Sequence, residues 1–123
     1  MKRFIYSLNF ALNGLKFSFQ NGHNFKIQLS FLLLSICLGS LFNINKQEWL
    51  WIIVFSSLVL SLEVVNTAIE ELCNKISKEK DEHIMWIKDL SAGAVLISSI
   101  GAMIIGLIIF YPYISTFLFS LFQ

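Results

Sequence analysis

Charge is scarce in this 123-residue chain: Asp, Glu, Lys and Arg make up 14% of it against 56% hydrophobic residues, with one proline and six glycines. A soluble fold of this length exposes a large share of its surface and needs more charge to cover it, so the composition fits lipid as the solvent. Disorder is excluded on the same ground. Net charge is only +1, with a pI near 7.8 and mean hydropathy +0.71. No basic run neutralises several phosphates, which argues against nucleic acid as a partner. Cysteine is also rare: Cys37 and Cys73 form no CxxC pair and read as structural, while His23 and His83 lack a partner at metal spacing. There is no glycine-rich phosphate loop and no nucleophile elbow, so any nucleotide site has to be built from helices.

What the chain has is apolar length, divided into three stretches close to the roughly 20 residues that cross a bilayer. An all-α integral membrane fold in one domain, 1–123, is therefore expected, with spans at about 25–43, 49–70 and 90–111. Trp49 and Trp51 mark an interface at the start of the second span. Ala92, Gly93, Ala94, Gly101, Ala102 and Gly106 predict close helix contact along the third, which is expected to stop at Pro112. Before the first span, over about 3–20, Phe4, Leu8, Ala11, Leu12, Leu15 and Phe19 recur at helical spacing opposite Asn9, Asn13, Lys16 and Gln20. That pattern describes an amphipathic surface helix, broken at Asn21-Gly22. It lacks the continuous apolar core and cleavage site of a signal peptide.

Basic residues set the orientation. Lys2, Arg3, Lys16 and Lys26 precede the first span and Lys75, Lys78, Lys80 and Lys88 lie between the second and third, whereas Lys46 stands alone in the other connection. Both basic regions are expected in the cytoplasm, with the tail from Pro112 onward at the outer interface.

Polar residues then appear at membrane depth. Glu63, Asn66, Glu70 and Asn74 fall at i, i+3, i+7 and i+11 and share one helix face. An ionisable group inside a span costs about 2.5 kcal/mol or more and usually faces a bundle interior for a functional reason. The plain alternative is hydrogen-bonding glue between helices. Lys88 and Asp89 return the chain to the same end, offering a cation for phosphates and a carboxylate beside it; a snorkelling lysine and a helix N-cap aspartate explain the pair equally well. The polar run Lys75 to Lys88 reads by default as a solvated connection.

The run Glu63-Val64-Val65-Asn66-Thr67-Ala68-Ile69-Glu70, followed by Lys88-Asp89-Leu90-Ser91-Ala92-Gly93-Ala94-Val95-Leu96, resembles the small bacterial diacylglycerol kinases. Their pattern is E-x-x-N-[ST]-A-I-E, then K-D and a small-residue stretch, and a surface helix plus three spans covers nearly the whole chain. The family also includes undecaprenol kinases, and Gly106 to Pro112 looks more like the end of the third span in that branch. The resemblance implies a homotrimer in the bacterial inner membrane that moves the γ-phosphate of ATP to the hydroxyl of a membrane lipid. By position, Glu63 resembles the general base and Asn66 the residue that orients it or the substrate. Glu70 matches a ligand of the Mg2+ that accompanies ATP, Lys88 a phosphate contact and Asp89 a nucleotide contact. Arg3 matches a basic nucleotide contact, and Glu79, Lys80 and Asp81 occupy the loop over the nucleotide.

The sequence departs from the pattern at Gly22, where a second metal carboxylate is usual, and at Asn74, where an aspartate is usual. Weakened metal binding is the expectation, to be relieved by Gly22→Glu. Two other readings stay open: a non-catalytic family member that binds lipid as a trimer, and a small transporter or channel subunit, which leaves Lys88-Asp89 unexplained.

Overall fold

The computed structural model describes residues 2–76 and 81–121. Within them the chain forms α1 (Lys2–Asn21), α2 (His23–Phe42), α3 (Lys46–Ile76) and α4 (Glu82–Leu121), with no strand. The last three are long and apolar enough to cross a membrane. Most of their surface faces outward even so: Ile97 is 74% exposed, Ile108 66% and Leu107 62%, which is affordable only where the surroundings are themselves apolar.

The α1–α2 break lies where sequence places it. Gly22 adopts an extended conformation (φ −82°, ψ 103°) and its N–H donates to Ser18 O at 2.7 Å. A Cβ there would lie 2.6 Å from that carbonyl and 3.4 Å from Thr67 Oγ1, so glycine lets the break close against α3. Lys26 Nζ reaches back to Gln20 O (3.3 Å) and sits over the Phe19 ring, tying the start of α2 to the end of α1.

At the opposite end the α2–α3 connection is three residues long. Asn43 takes the left-handed conformation (φ 48°, ψ 49°) and Ile44 N–H donates to Gly39 O at 3.1 Å. Asn45 Oδ1 then accepts from the N–H groups of Gln47 and Glu48, while Glu48 Oε2 accepts from Asn45 N–H, a reciprocal cap that starts α3. Ile44, Ile52, Ile109 and Phe110 form the main apolar cluster here, with Trp49 and Phe42 against it.

Three expectations need correction. α4 does not stop at Pro112 but continues to Leu121. A proline removes one helix hydrogen bond, whereas ending the helix in an apolar medium would orphan several backbone groups. The continuation is also held from outside: Tyr113 O–H donates to Glu48 Oε2 at 2.8 Å, and Tyr113 and Phe117, one turn apart, both pack on Phe42. The polar connection between α3 and α4 is shorter than Lys75 to Lys88, because helix extends through Ile76 and resumes at Glu82. Small residues on α4 do not all mark close contact within the chain: a Cβ on Gly101 would meet Phe55 at 3.3 Å, but one on Gly93 or Gly106 meets nothing within 4 Å.

Candidate functional site

α3 and α4 run along each other over their length, with α2 packed mainly on α3. Between these three helices, toward the end that carries α1, lies a cleft of about 490 Å³ whose wall includes Glu63, Asn66, Glu70 and Asp89. The helical spacing of the first three thus delivers them to one cavity. Glu63 is 2% exposed, and its Oε1 is buried with no hydrogen-bond partner among the described residues. Leaving a carboxylate oxygen unpaired costs more than leaving almost any other group so, and packing glue would by definition have a partner. The backbone around Glu63 is fully engaged: Thr67 Oγ1 donates to Glu63 O at 2.9 Å.

Asn66 is the joint of the site. Its Nδ2 donates to Glu70 Oε1 at 3.0 Å, and its Oδ1 accepts from Ser91 Oγ on α4 at 2.5 Å. A carboxylate only accepts, so the amide nitrogen must face Glu70 and the amide oxygen must face Ser91. Ser91 also lies 2.9 Å from Lys88 O, which competes for its one proton. Ser91 is a site residue that spacing does not reveal, since it meets Asn66 only through helix packing; its place two residues after Asp89 was the available hint.

One turn lower, Lys88 Nζ donates to Asn74 Oδ1 at 3.0 Å. Where the resemblance puts an aspartate, this chain holds its lysine with a neutral acceptor and leaves the positive charge uncompensated by it. Asp89 is exposed, lines the cleft and sits inside α4, so it is not a helix N-cap. That role belongs to Asp81, whose Oδ1 accepts from the N–H groups of His83 (2.9 Å) and Ile84 (3.1 Å). Glu79 and Lys80 lie outside the described residues. Arg3 is exposed near the far end of α1 from the break and does not line the cleft.

Among the described residues no three His, Cys, Asp or Glu side chains are grouped to hold a metal ion. Glu70 offers a single carboxylate with one oxygen engaged by Asn66. Gly22 cannot carry a second without moving the break, because of the 2.6 Å approach to Ser18 O.

The chain matches the family model described as prokaryotic diacylglycerol kinase over residues 9–110. It is 30% identical over 112 residues to an undecaprenol kinase of Bacillus subtilis (strain 168), covering 91% of each chain. It is 31% identical over 101 residues to a diacylglycerol kinase of Synechocystis sp. (strain ATCC 27184 / PCC 6803 / Kazusa), covering 81% of this chain and 58% of that protein. With the matched residues spanning α2, α3 and most of α4, cleft included, the chain belongs to the prokaryotic diacylglycerol kinase family of kinase-like membrane phosphotransferases.

Proposed function

We propose that this cleft transfers the γ-phosphoryl group of MgATP to the hydroxyl of a membrane lipid alcohol, with Glu63 as general base. The observation that carries the reading is the buried, unpartnered Glu63 oxygen in the wall of a cleft shared with Asn66, Glu70 and Asp89. The lipid hydroxyl oxygen attacks the γ-phosphorus, the bond to the β,γ-bridging oxygen breaks, and ADP leaves. The hydroxyl proton passes to Glu63. Asn66, pinned by Ser91, orients the carboxylate face of the cleft, and Lys88 with Asp89 contacts the nucleotide. Arg3, Glu79, Lys80 and Asp81 are assigned to the nucleotide on resemblance alone, and Asp81 carries its cap as well.

The donor set fits a metal ion brought by the nucleotide, because Mg2+ commonly takes one or two protein carboxylates and fills its shell with phosphate oxygens and water. Glu70 is the residue that would hold it. When bound, it neutralises charge on the phosphates.

The acceptor is diacylglycerol or undecaprenol, the alcohols in the names of the two relatives. The membrane is the bacterial inner membrane, with α1 on its cytoplasmic surface, since Lys2, Arg3, Lys16 and Lys26 come before or at the start of the first span and Lys75 and Lys88 flank the α3–α4 connection, whereas Lys46 stands alone at the α2–α3 connection. The assembly is a homotrimer, as the resemblance implies. A non-catalytic role is less economical, because Glu63, Asn66, Glu70 and Asp89 all line one cleft.

The test is transfer of labelled γ-phosphate from MgATP to each alcohol by the protein reconstituted in vesicles. Labelled lipid is expected; ATP turnover without labelled lipid, or neither at raised magnesium, contradicts the proposal.

A further inference from the structure

A second cavity, of about 500 Å³, lies on the other side of one hydrogen bond from the cleft. Gln28 Nε2 on α2 donates to Ser99 Oγ on α4 at 3.0 Å, and both residues line both cavities. Beyond that pair the wall turns apolar, with Leu38, Phe55, Val59 and Phe110 among its members. Of its few polar residues, Ser35 Oγ donates to Phe31 O at 2.9 Å and Ser99 accepts from Gln28, while Ser56 and Tyr111 leave hydroxyls on an otherwise apolar wall.

Resting on the lipid-kinase reading above, we infer that this groove receives the far end of the acceptor's hydrocarbon tail, with Gln28 and Ser99 as the sill over which the tail passes from the cleft. The occupant is set by continuity and length. At about 1.5 Å per residue, Gln28 lies roughly 8 Å along α2 and Leu38 roughly 22 Å. The midplane of a hydrocarbon core of about 30 Å lies roughly 15 Å from either face. With α2 set upright and starting at one face, the groove begins in the leaflet of the cleft and continues into the opposite one. A tail confined to one leaflet would leave its far half unfilled, whereas a longer tail with its hydroxyl at Glu63 would bury its excess length there. The groove thus acts as a gauge of tail length by fit rather than by apolar burial, since the tail comes from surroundings that are already apolar.

Gly106 offers a clean way to block it, because it lines the groove and a Cβ added there meets nothing within 4 Å. The isomer of farnesol with a cis double bond next to the alcohol shares its allylic end with undecaprenol, so the two differ chiefly in tail length. For the wild-type protein in vesicles, undecaprenol is expected to have the higher kcat/KM. Gly106→Phe, whose ring would overlap a tail seated in the groove, should lower that preference about tenfold. Ile97→Phe, on a 74% exposed position outside both cavities, should leave the preference unchanged. A preference unaltered by Gly106→Phe, or altered equally by Ile97→Phe, overturns the inference.

A polyprenol with a photoreactive diazirine at the end of its tail gives a readout independent of phosphoryl transfer. Labelling of α2 between 31 and 38 or α4 between 102 and 114 is expected, and should fall in Gly106→Phe. Labelling confined to α1 or to Ile97, or crosslinks showing a second copy of the chain seated in the groove, overturns it. Groove labelling without transfer to any lipid would defeat the kinase reading and leave the tail site standing; transfer without groove labelling would do the reverse.

Discussion

Glu70, which can only accept, settles which way the Asn66 amide faces, and Ser91 ties that amide to α4. Removing the Ser91 hydroxyl loosens this tie without disturbing the apolar packing. Ser91→Ala should lower kcat about threefold to tenfold, the range of one net hydrogen bond, and Ser91→Thr should restore it; an equal loss in both variants would mean that Ser91 only fills space. Asn74 makes a sharper case. An aspartate at that position would pair with Lys88, and exposed pairs are worth about 0.2–1 kcal/mol, so Asn74→Asp should raise KM for ATP about two- to fivefold at saturating magnesium. If instead the missing charge limits metal binding, the same variant would lower the magnesium requirement and leave KM for ATP alone. The line Glu63, Asn66, Glu70, Asn74 was legible because helical spacing alone brings residues to one face. The Asn66–Ser91 and Asn74–Lys88 bonds were not, because they depend on how α4 is rotated and shifted against α3, which no spacing along one helix encodes.

At the scale of elements, the α1–α2 break, the α2–α3 connection and the start of α4 each have a local chemical cause. Asn45 and Glu48 cap α3 reciprocally, Asp81 caps α4, and Gly22 and Asn43 supply the two sharp turns. The Asn-x-x-Glu of the α3 cap stands in the sequence as a readable signal. Pro112 was misread for a physical reason: the rule that a proline ends a helix comes from water, where freed carbonyls are solvated, and here Tyr113 and Glu48 hold the continuation in place. Tyr113→Phe should cost about 1 kcal/mol, the worth of one hydrogen bond, and lower the Tm in detergent without altering phosphoryl transfer. Gly39 sits where α2 meets Trp49, and a Cβ would lie 2.9 Å from the indole ring. Gly39→Ala is therefore expected to destabilise by about 1–3 kcal/mol through overpacking. An unchanged Tm in either variant would show that this end of the bundle is looser than its contacts imply.

Across the whole molecule, apolar packing and chemistry are separated along the bundle. The Ile44, Ile52, Ile109 and Phe110 cluster secures one end, while the other holds an open polar cleft around a carboxylate with an unpaired oxygen. Composition made the membrane fold plain, since lipid leaves a chain few options other than helices. The two cavities and the Gln28–Ser99 bond between them were beyond its reach, because cavities arise from what three helices fail to fill. The separation also explains why activity and stability can be tested apart. The most direct measurement of the central claim compares Glu63→Gln with wild type for MgATP binding and for single-turnover transfer to the lipid hydroxyl. A glutamine keeps the shape and removes the base, so nucleotide affinity should stay within about twofold while the transfer rate falls by about 10²–10⁴. Transfer by Glu63→Gln at a wild-type rate would contradict the account.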